Sequence, residues 1–349
     1  MRALVTTGPG ALGWQEVETP ALPGDDGALV RPLAVARCDL DPLMVTSGMF
    51  PGPFTVGHEC AAEVAVPGPD SGLREGDVVL VPFQVSCGAC GPCRAGRFAS
   101  CLPERARAGA AFGFGSAGGG HGGAVADLLA VPHARHLLLP PPPGVRPAIL
   151  ALLPDNVTDA WRSVGPGLAE EPRADVLVVG GAGASIGLYA VGWALALGAG
   201  SVRYADDDPG RLAVAAALGA DTVTVDRTVD PGGQGGAAWP RRFERARIVV
   251  ENTGTPTGLA CALRSVDDQG RCVSVAIHVG AVAVPLLEMY TRGCTLSASR
   301  ADSRAHLAAV AALVGDGVFD PTGVPLTHRA WDEAPAAWTE PALKVVLER

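Results

Sequence analysis

Two patterns of hydrophobic residues divide the chain. Up to about residue 150, short apolar runs alternate with Gly and Pro, as in Ala28–Leu33, Cys60–Val66 and Ala124–Val131. Short runs bounded by turn residues are typical of strands, so this part is predicted to be a β-rich, barrel-like domain. Pro140–Pro143, followed by Gly144, fits neither a helix nor a central strand. It predicts a stiff link at a domain boundary.

Beyond that link, apolar strands alternate with helices. Residues 175–179 consist of an aspartate and the continuous apolar run Val-Leu-Val-Val, which is typical of a strand covered on both faces. A glycine turn follows, and then an Ala/Leu-rich helix from Ile186 to about Leu197. Further elements are predicted as strands at 201–205, 222–225, 247–250 and 271–277, helices at 211–218, 259–266 and 306–314, and a surface loop at 231–236. The alternation predicts a parallel sheet with right-handed crossovers, and a last strand at 343–347 is expected to return to the first domain.

Composition and charge narrow the functional classes. The chain has 349 residues, 48% of them hydrophobic and 18% charged, which suits two domains with substantial cores. Its formal net charge of −9 argues against nucleic acid or an anionic membrane surface as a partner. No apolar run is long enough to cross a bilayer, and Met1–Val5 resembles a first strand rather than a signal peptide. We therefore expect a cytoplasmic protein with reduced thiols.

Four of the nine cysteines lie close together in the sequence. Cys87, Cys90, Cys93 and Cys101 follow a Cys-x2-Cys-x2-Cys-x7-Cys pattern with Gly and Pro between them. Thiolates at this spacing pair poorly as disulfides but can converge on one tetrahedral ion such as Zn²⁺. All four ligands would come from protein, so the predicted metal is structural. An iron–sulfur cluster is the competing interpretation.

This cysteine lobe, residues 87–101, resembles the structural-zinc lobe of the zinc-dependent alcohol dehydrogenases in the medium-chain dehydrogenase/reductase superfamily. The resemblance continues in family order through Gly57-His58-Glu59, the glycine turn with its acid, and the closing Lys344-Val-Val-Leu. It implies an α/β protein with a GroES-like β-rich catalytic domain and a Rossmann domain built on a doubly wound parallel sheet. The implied boundaries are 1–150 with 299–349, and 151–298. The resemblance also implies a homodimer or homotetramer and a small alcohol or carbonyl substrate.

By the same resemblance, a second zinc site carries the chemistry. Cys38 lies in a Cys-x-x-Asp turn, His58 and Glu59 lie in the Gly-His-Glu motif, and Asp155 precedes the nucleotide domain. These residues would hold an open zinc through Cys38, His58 and Asp155, with Glu59 as a transient ligand. Asp41 would hold the imidazole of His58. An open zinc makes an alkoxide accessible at neutral pH, so the implied reaction is NAD-linked alcohol oxidation or carbonyl reduction.

The chain departs from the family in the residues that would relay the alcohol proton. The family's hydroxyl stands two residues after the ligand cysteine, where this chain has Leu40, and its histidine stands where this chain has Leu43. A leucine cannot carry a proton. The remaining carriers are zinc-bound water, Glu59, Asp39, Ser47 and His121. The departure leaves open an alternative, an NADPH-linked reductase of an enone, an iminium or a biosynthetic intermediate. Leu40, Leu43 and Phe83 suggest an apolar substrate pocket.

The predicted nucleotide site centres on the glycine turn at 180–187. Small residues there let the backbone approach a pyrophosphate at the start of a helix. The candidate binding residues of the turn are Gly181, Gly183, Ser185, Ile186 and Gly187. Asp206, at the tip of the next strand, can accept both ribose hydroxyls and would repel a 2′-phosphate, so NAD is favoured over NADP. Arg211 is a candidate for flanking the adenosine, and by resemblance Thr253 and Ile277 would lie at the nicotinamide nucleoside and Lys344 near the pyrophosphate.

Overall fold

The computed structural model describes residues 1–105, 109–226 and 239–349, which form two compact units. Unit 1 comprises Met1–Thr158, Ala301–Gly317 and Pro325–Arg349, and unit 2 comprises Asp159–Arg300 and Val318–Val324. The surface loop predicted at 231–236 lies outside the described residues.

Fifteen strands occur in the described residues, and they are numbered in chain order. They are β1 (Arg2–Gly8), β2 (Ala11–Glu16), β3 (Ala28–Arg37), β4 (Phe54–Thr55), β5 (Glu59–Pro67), β6 (Val78–Val81), β7 (Leu129–Val131), β8 (Val176–Val179), β9 (Val202–Asp206), β10 (Asp221–Thr224), β11 (Ala246–Glu251), β12 (Val266–Ser274), β13 (Thr295–Ala298), β14 (Leu326–Ala330) and β15 (Lys344–Glu348).

Twelve α-helices occur in the same described ranges, seven of them shorter than eight residues. They are α1 (Asp41–Thr46), α2 (Gly91–Arg94), α3 (Leu102–Arg105), α4 (Ala134–Leu137), α5 (Pro147–Leu150), α6 (Thr158–Glu170), α7 (Ala184–Ala196), α8 (Pro209–Leu218), α9 (Pro256–Arg264), α10 (Leu286–Arg292), α11 (Ser303–Gly315) and α12 (Ala334–Ala337). A π-helical turn, Leu153–Val157, precedes α6. No helix in the described part of the chain is both long and apolar enough to traverse a bilayer.

Unit 1 is the β-rich part that the sequence predicts. One sheet has the order β2-β1-β4, and a larger sheet runs β14-β15-β3-β5-β6, with β7 also paired to β3. The last strand does return to this unit: β15 pairs antiparallel with β3, with Val346 opposite Ala36. The inward faces of these strands pack on a core that includes Val81, Phe112 and Trp338. This core holds β3 and β5, which carry metal-site residues, in a fixed register.

The segment Ala124–Val131 is only partly the strand that its apolar pattern predicts. Regular pairing with β3 is confined to β7, Leu129–Val131. Before β7, Leu4 donates its N–H to the Val125 carbonyl at 2.8 Å, and Ala126 forms an isolated bridge with Ala3. The apolar run is therefore buried as expected, but it is shared between two sheets, and that sharing breaks the strand.

Unit 2 contains a six-stranded parallel sheet with the order β10-β9-β8-β11-β12-β13. In sequence order this is the 3-2-1-4-5-6 arrangement of the doubly wound fold, so the predicted α/β class is confirmed. All four residues of β8 are buried, as a strand covered on both faces requires. Helix α7 packs through Tyr189 and Trp193, and the Trp193 ring stacks on Phe319 with centroids 4.0 Å apart.

Helix α9 begins and ends earlier than predicted, at Pro256–Arg264 instead of 259–266. Thr255 caps its N-terminus, where the Thr255 hydroxyl accepts the Gly258 N–H at 3.2 Å. Pro256 then occupies the first turn, where its missing N–H costs nothing. Val266, placed in the helix by its hydrophobicity, instead begins β12.

Candidate metal centres and nucleotide site

Four side chains of unit 1 converge on one buried point. Cys38 follows β3, His58 and Glu59 stand at the start of β5, and Asp155 lies in the π-helical turn. One ligand atom of each lies within 4.8 Å of the others, and all four residues are buried. The structure thus brings together the three predicted zinc ligands and the predicted transient ligand. A thiolate, an imidazole and a carboxylate are the donor types that Zn²⁺ takes in catalytic sites.

Two carboxylates lie close to the imidazole of His58, but its ring nitrogens form no well-aligned hydrogen bond with them. Its Nε2 lies 3.4 Å from Asp155 Oδ2, and its Nδ1 lies 3.6 Å from Asp41 Oδ1. Neither ring nitrogen has a hydrogen bond of good geometry among the described residues. Asp41 is fixed in turn, because its Oδ2 accepts the Cys38 N–H at 2.8 Å. A cation between Cys38, His58 and Asp155 would satisfy the orphaned nitrogen, so this donor set fits a zinc ion.

Burial and charge make this cluster a receptor for positive charge. Burial opposes protonation of His58, but the carboxylates of Asp41, Asp155 and Glu59 outweigh it and raise the pKa of His58 to about 9. Burial, with the nearby carboxylates, also raises the pKa of the Cys38 thiol well above its usual value. The cluster therefore retains protons at neutral pH, and a divalent cation bound there would displace them.

Lys344 lies beside this cluster. Its ammonium donates to both Glu59 oxygens, at 2.6 and 2.8 Å, and to Asn156 Oδ1 at 3.2 Å. Both charged side chains are fully buried. Burial disfavours the charged lysine, but Glu59 outweighs it and raises the pKa of Lys344. The contact of Lys344 with a pyrophosphate that the resemblance implies stays a prediction, and in this structure the ammonium is bonded to Glu59.

Arg37, the residue before Cys38, ties the C-terminal segment to the same place. Its buried guanidinium donates to the carbonyls of Ala337, Glu340 and Ala342, at 3.0, 2.7 and 2.8 Å. These acceptors belong to the stretch that leads into β15 and Lys344. Arg37 therefore fixes the approach of the lysine that neutralises Glu59.

The four lobe cysteines also form one cluster. The sulfurs of Cys87, Cys90, Cys93 and Cys101 lie within 4.8 Å of one another, and none forms a disulfide. Backbone N–H groups donate to three of them; for example, Leu102 donates to Cys90 Sγ at 3.4 Å. That bond is the main cause that lowers the pKa of the Cys90 thiol. Four convergent thiols with N–H donors suit a closed tetrathiolate metal site.

Two aromatic rings lie close to the His58 imidazole. Phe83, predicted from the sequence as a pocket residue, has its ring centroid 5.5 Å from that of His58. Phe114, which sequence reasoning missed, lies closer, at 5.1 Å, and Phe50 meets Phe114 edge-on at 5.9 Å. Phe114 stands between Gly113 and Gly115, both at positive φ, and this Gly-Phe-Gly turn is the signal that could have identified it.

The predicted alternative proton carriers have other partners. His121 Nε2 lies 3.1 Å from Glu104 Oε2, and Ser47 Oγ accepts the Met49 N–H at 3.1 Å. Leu40 is partly buried against the unit 1 core, whereas Leu43 is 48% exposed. The two positions at which the family has its relay groups therefore carry leucines, whose side chains cannot transfer a proton.

The glycine turn of unit 2 is closely covered by the residues that follow β11. A Cβ at Gly181, whose φ is 149°, would lie 2.7 Å from Thr253 Cα, and one at Gly187 would lie 2.8 Å from Asn252 Nδ2. Ser185 is buried and Ile186 half-buried in the first turn of α7. Larger side chains at these glycines would therefore clash with the residues after β11, and glycines at the start of a helix are also what the predicted pyrophosphate site requires.

Asp206 and Arg211 form an ion pair at the end of β9. The Asp206 carboxylate is fully buried and accepts from Arg211 Nε and Nη2, at 2.9 and 2.7 Å, and from the Tyr204 hydroxyl at 2.6 Å. Burial disfavours the charged carboxyl, but these donors outweigh it and lower the pKa of Asp206. The two residues that the sequence assigned to ribose and adenosine separately thus bond to each other.

Comparisons with known proteins agree with both halves of this description. Residues 24–141 match the family described as "Alcohol dehydrogenase GroES-like domain", and residues 185–326 match "Zinc-binding dehydrogenase". A probable zinc-binding alcohol dehydrogenase of Mycobacterium tuberculosis is 32% identical over 96% of this chain and 83% of its own length. The L-galactonate-5-dehydrogenase of Escherichia coli is 29% identical over 94% of this chain and 91% of its own.

The solved structures include a close match in fold. An alcohol dehydrogenase from a Thermus species superposes with a TM-score of 0.88 at 29% identity, covering 100% of this chain and 99% of its own. The matches span both units, and the family descriptions name the zinc and the dehydrogenase reaction that the clustered residues can support. The chain therefore belongs to the zinc-binding alcohol dehydrogenases of the medium-chain dehydrogenase/reductase superfamily.

Proposed function

We propose that this protein is an NAD-dependent, zinc-dependent dehydrogenase that interconverts an alcohol and its carbonyl compound. The observation that carries the proposal is the buried set of Cys38, His58 and Asp155, with Glu59 as a fourth donor. Bound zinc would polarise the substrate oxygen, and the bound nicotinamide would exchange a hydride with the substrate carbon.

The side chains of unit 1 would support that chemistry in distinct ways. Asp41 orients the His58 ring so that Nε2 faces the other ligands. Lys344 neutralises Glu59, which keeps Glu59 from adding a full negative charge to the ligand set. Phe83 and Phe114 exclude water from the His58 side, and a low local polarity strengthens the pull of a cation on oxygen.

The direct test combines metal analysis with turnover. Cys38→Ser and His58→Ala should abolish NAD-linked alcohol oxidation and remove about one zinc per chain, while circular dichroism stays that of the wild type. Phe98→Leu, a change in the lobe far from this ligand set along the chain, is the matched control and should keep the zinc. A Cys38→Ser enzyme with full turnover would sink the proposal.

The aromatic surroundings of His58 support an apolar substrate. Phe83, Phe114 and Phe50 present rings, and Leu40 adds an aliphatic side chain, where a polyol would need hydrogen-bond partners. Aryl and medium-chain alcohols should therefore have higher kcat/KM than polyols of the same length. Phe114→Ala should reduce this preference by lowering kcat/KM for the apolar alcohols alone.

NAD is the proposed cofactor because a buried carboxylate, Asp206, stands at the end of β9. A carboxylate there opposes a 2′-phosphate. Arg211 neutralises part of that charge, so we expect a preference of modest size rather than exclusion of NADP. Comparing kcat/KM with the two cofactors in wild type and Asp206→Asn measures it, and an unchanged ratio would count against Asp206 as the discriminating residue.

Leu40 favours a second candidate function, an NADPH-linked reductase of an enone, iminium or biosynthetic intermediate. A reductase that protonates carbon or nitrogen does not need the relay hydroxyl that position 40 lacks. Purified enzyme with each cofactor, assayed against alcohols, aldehydes and enones, separates the two candidates. Turnover of enones with NADPH and none of alcohols would select the reductase.

We also propose that two copies assemble through unit 2. β13 is the edge strand of the parallel sheet, and most of its residues are exposed. The adjoining α10 exposes Leu287 and Tyr290, at 74% and 82%. A second copy placed against β13 would pair that edge and cover these side chains. Leu287→Asp with Tyr290→Asp should shift the mass by light scattering to that of one chain, and an unchanged mass would reject this surface.

A further inference from the structure

A buried carboxylate at the end of β11 organises the loops that follow β11 and β12. Glu251 is fully buried, and its Oε1 accepts from the Thr253 N–H and hydroxyl, at 2.8 and 2.6 Å, and from the Gly254 N–H at 3.2 Å. Its Oε2 accepts from the Ser274 hydroxyl at 2.5 Å and lies 3.0 Å from His278 Nε2. Five donors thus fix this carboxylate. Four of them are N–H and O–H groups of Thr253, Gly254 and Ser274, and their bonds order the loop after β11 and the end of β12.

His278 is the one ionisable donor of the five. Its contact with Glu251 determines which ring nitrogen donates a hydrogen bond and which can accept one. An ionised carboxylate only accepts hydrogen bonds, so Nε2 carries the proton that points to Glu251. In the neutral ring, Nδ1 is then an acceptor, and it has no partner among the residues that the structure describes. The His278 side chain is 14% exposed, whereas its neighbours Ile277 and Val279 are 70% and 85% exposed.

The position of this histidine in the sheet points to a particular half of a dinucleotide. Glu251 and Ser274 are the last residues of β11 and β12, at the edge where ligands bind in doubly wound folds. The glycine turn follows β8, and Asp206 ends β9 on one side of it. In the order β10-β9-β8-β11-β12-β13, the second nucleotide must lie on the other side, over β11 and β12.

We propose that His278 is a cofactor-binding residue, whose Nδ1 accepts a hydrogen bond from the nicotinamide nucleoside half of the dinucleotide. The donor is the carboxamide NH2 or a hydroxyl of that ribose, both of which offer the same N–H or O–H chemistry. Glu251 acts as the positioning residue, because its bond to Nε2 fixes the ring and its tautomer. The inference rests on the proposed use of a nicotinamide cofactor.

Two substitutions separate this role from a purely structural one. His278→Gln can keep a donor near the position of Nε2, and so the bond to Glu251, but it offers no acceptor at Nδ1. His278→Asn does the reverse, because its side-chain oxygen lies near the position of Nδ1. Ser274→Ala is the matched control, since Ser274 donates to the same Glu251 oxygen but belongs to the strand and is 4% exposed.

The measurement is the dissociation constant of three probes, ADP, ADP-ribose and NADH, for the full-length zinc-loaded enzyme. In His278→Gln the NADH constant should rise about fivefold to tenfold, the loss of one buried hydrogen bond, while the ADP constant stays unchanged. His278→Asn should recover part of the NADH affinity. ADP-ribose distinguishes the donors, because it weakens together with NADH if the ribose hydroxyl is bound and stays with ADP if the carboxamide is bound.

Two results would overturn the inference: unchanged NADH affinity in His278→Gln, or equal weakening of ADP and NADH. Equal weakening would assign His278 to the support of the loops alone. ADP affinity also reports folding of each variant. A wild-type enzyme that binds neither ADP nor NADH would reject the proposed dehydrogenase function instead, so the two failures are distinguishable.

Discussion

The pair formed by Lys344 and Glu59 allows a quantitative test of the metal centre. Lys344→Met keeps the length of the side chain and removes its charge. The ammonium lies 2.6 and 2.8 Å from the two Glu59 oxygens, with both side chains fully buried. At an effective dielectric constant of about 20, such a pair attracts by about 6 kcal/mol. Much of this attraction offsets the free energy needed to take both charges out of water. Removing one partner alone lowers the free energy of unfolding by about 3–5 kcal/mol, because it leaves the other charge buried and unpaired.

Zinc should reduce this loss. Glu59 offers an oxygen within 4.8 Å of the Cys38, His58 and Asp155 donors, so a bound zinc can compensate the orphaned carboxylate. We expect Lys344→Met to lower the free energy of unfolding by about 3–5 kcal/mol in chelator and by about half as much with zinc. The cysteine lobe loses its metal in wild type and variant alike, so its contribution cancels in the difference.

Urea denaturation of wild type, Lys344→Met and Lys344→Met/Glu59→Gln, each with chelator and with zinc, measures the effect. The double variant removes both charges and should recover most of the stability, because no buried charge is left unpaired. A loss below about 1 kcal/mol in chelator would refute the buried pair. An equal loss with and without zinc would refute the compensation by metal.

Three further predictions concern protons and zinc. Zinc bound to Cys38 and His58 should displace two protons, since the pKa values of both side chains are raised and that of His58 is about 9. Below pH 9, the apparent zinc affinity measured against a competing chelator should therefore rise about 100-fold per pH unit. An affinity that does not change with pH would contradict this ligand set. Burial and Arg304 lower the pKa of His136 to about 4. As pH falls, His136 is protonated in the unfolded state before it is protonated in the folded state, so the free energy of unfolding should decrease between about pH 6.5 and about pH 4. His136→Gln should flatten the urea midpoint over this pH range. The same pH dependence in wild type and variant would contradict the lowered pKa of His136. Cys93→Ser should lower zinc content by about one ion per chain while Cys38-dependent turnover per remaining zinc persists, and loss of both metals would show that the two centres are coupled.

The sequence predicted best where the chemistry is local. The lobe cysteines lie within fifteen positions of one another, and His58 and Glu59 are adjacent, so short spacing alone places their donors together. The parallel sheet followed from the alternation of apolar strands and helices, because that alternation has few packing solutions. The fold class and the family could therefore be predicted from the sequence alone.

Contacts between residues far apart in the sequence could not be predicted in the same way. The resemblance placed Lys344 near the pyrophosphate, but the sequence does not show that Lys344 contacts Glu59, 285 positions away, because that contact depends on the pairing of β15 with β3. Phe114 reaches His58 through a glycine turn that reads as a loop. Asp206 and Arg211 were both noticed, but only their distances show that they bond to each other. Charge and hydrophobicity are visible in a sequence, whereas the choice among partners depends on packing.

The pairing of β15 with β3 imposes an order of assembly on the protein as it is synthesised. β3 and β5, with Cys38, His58 and Glu59 at their ends, leave the ribosome long before β15, because the whole of unit 2 is translated in between. Until β15 emerges, Glu59 has no lysine, Arg37 has none of its carbonyl acceptors, and one edge of β3 stays open. The donors of the metal centre therefore exist early in a nascent chain without the lysine that pairs with Glu59, and the final strand completes the site in which zinc would be held.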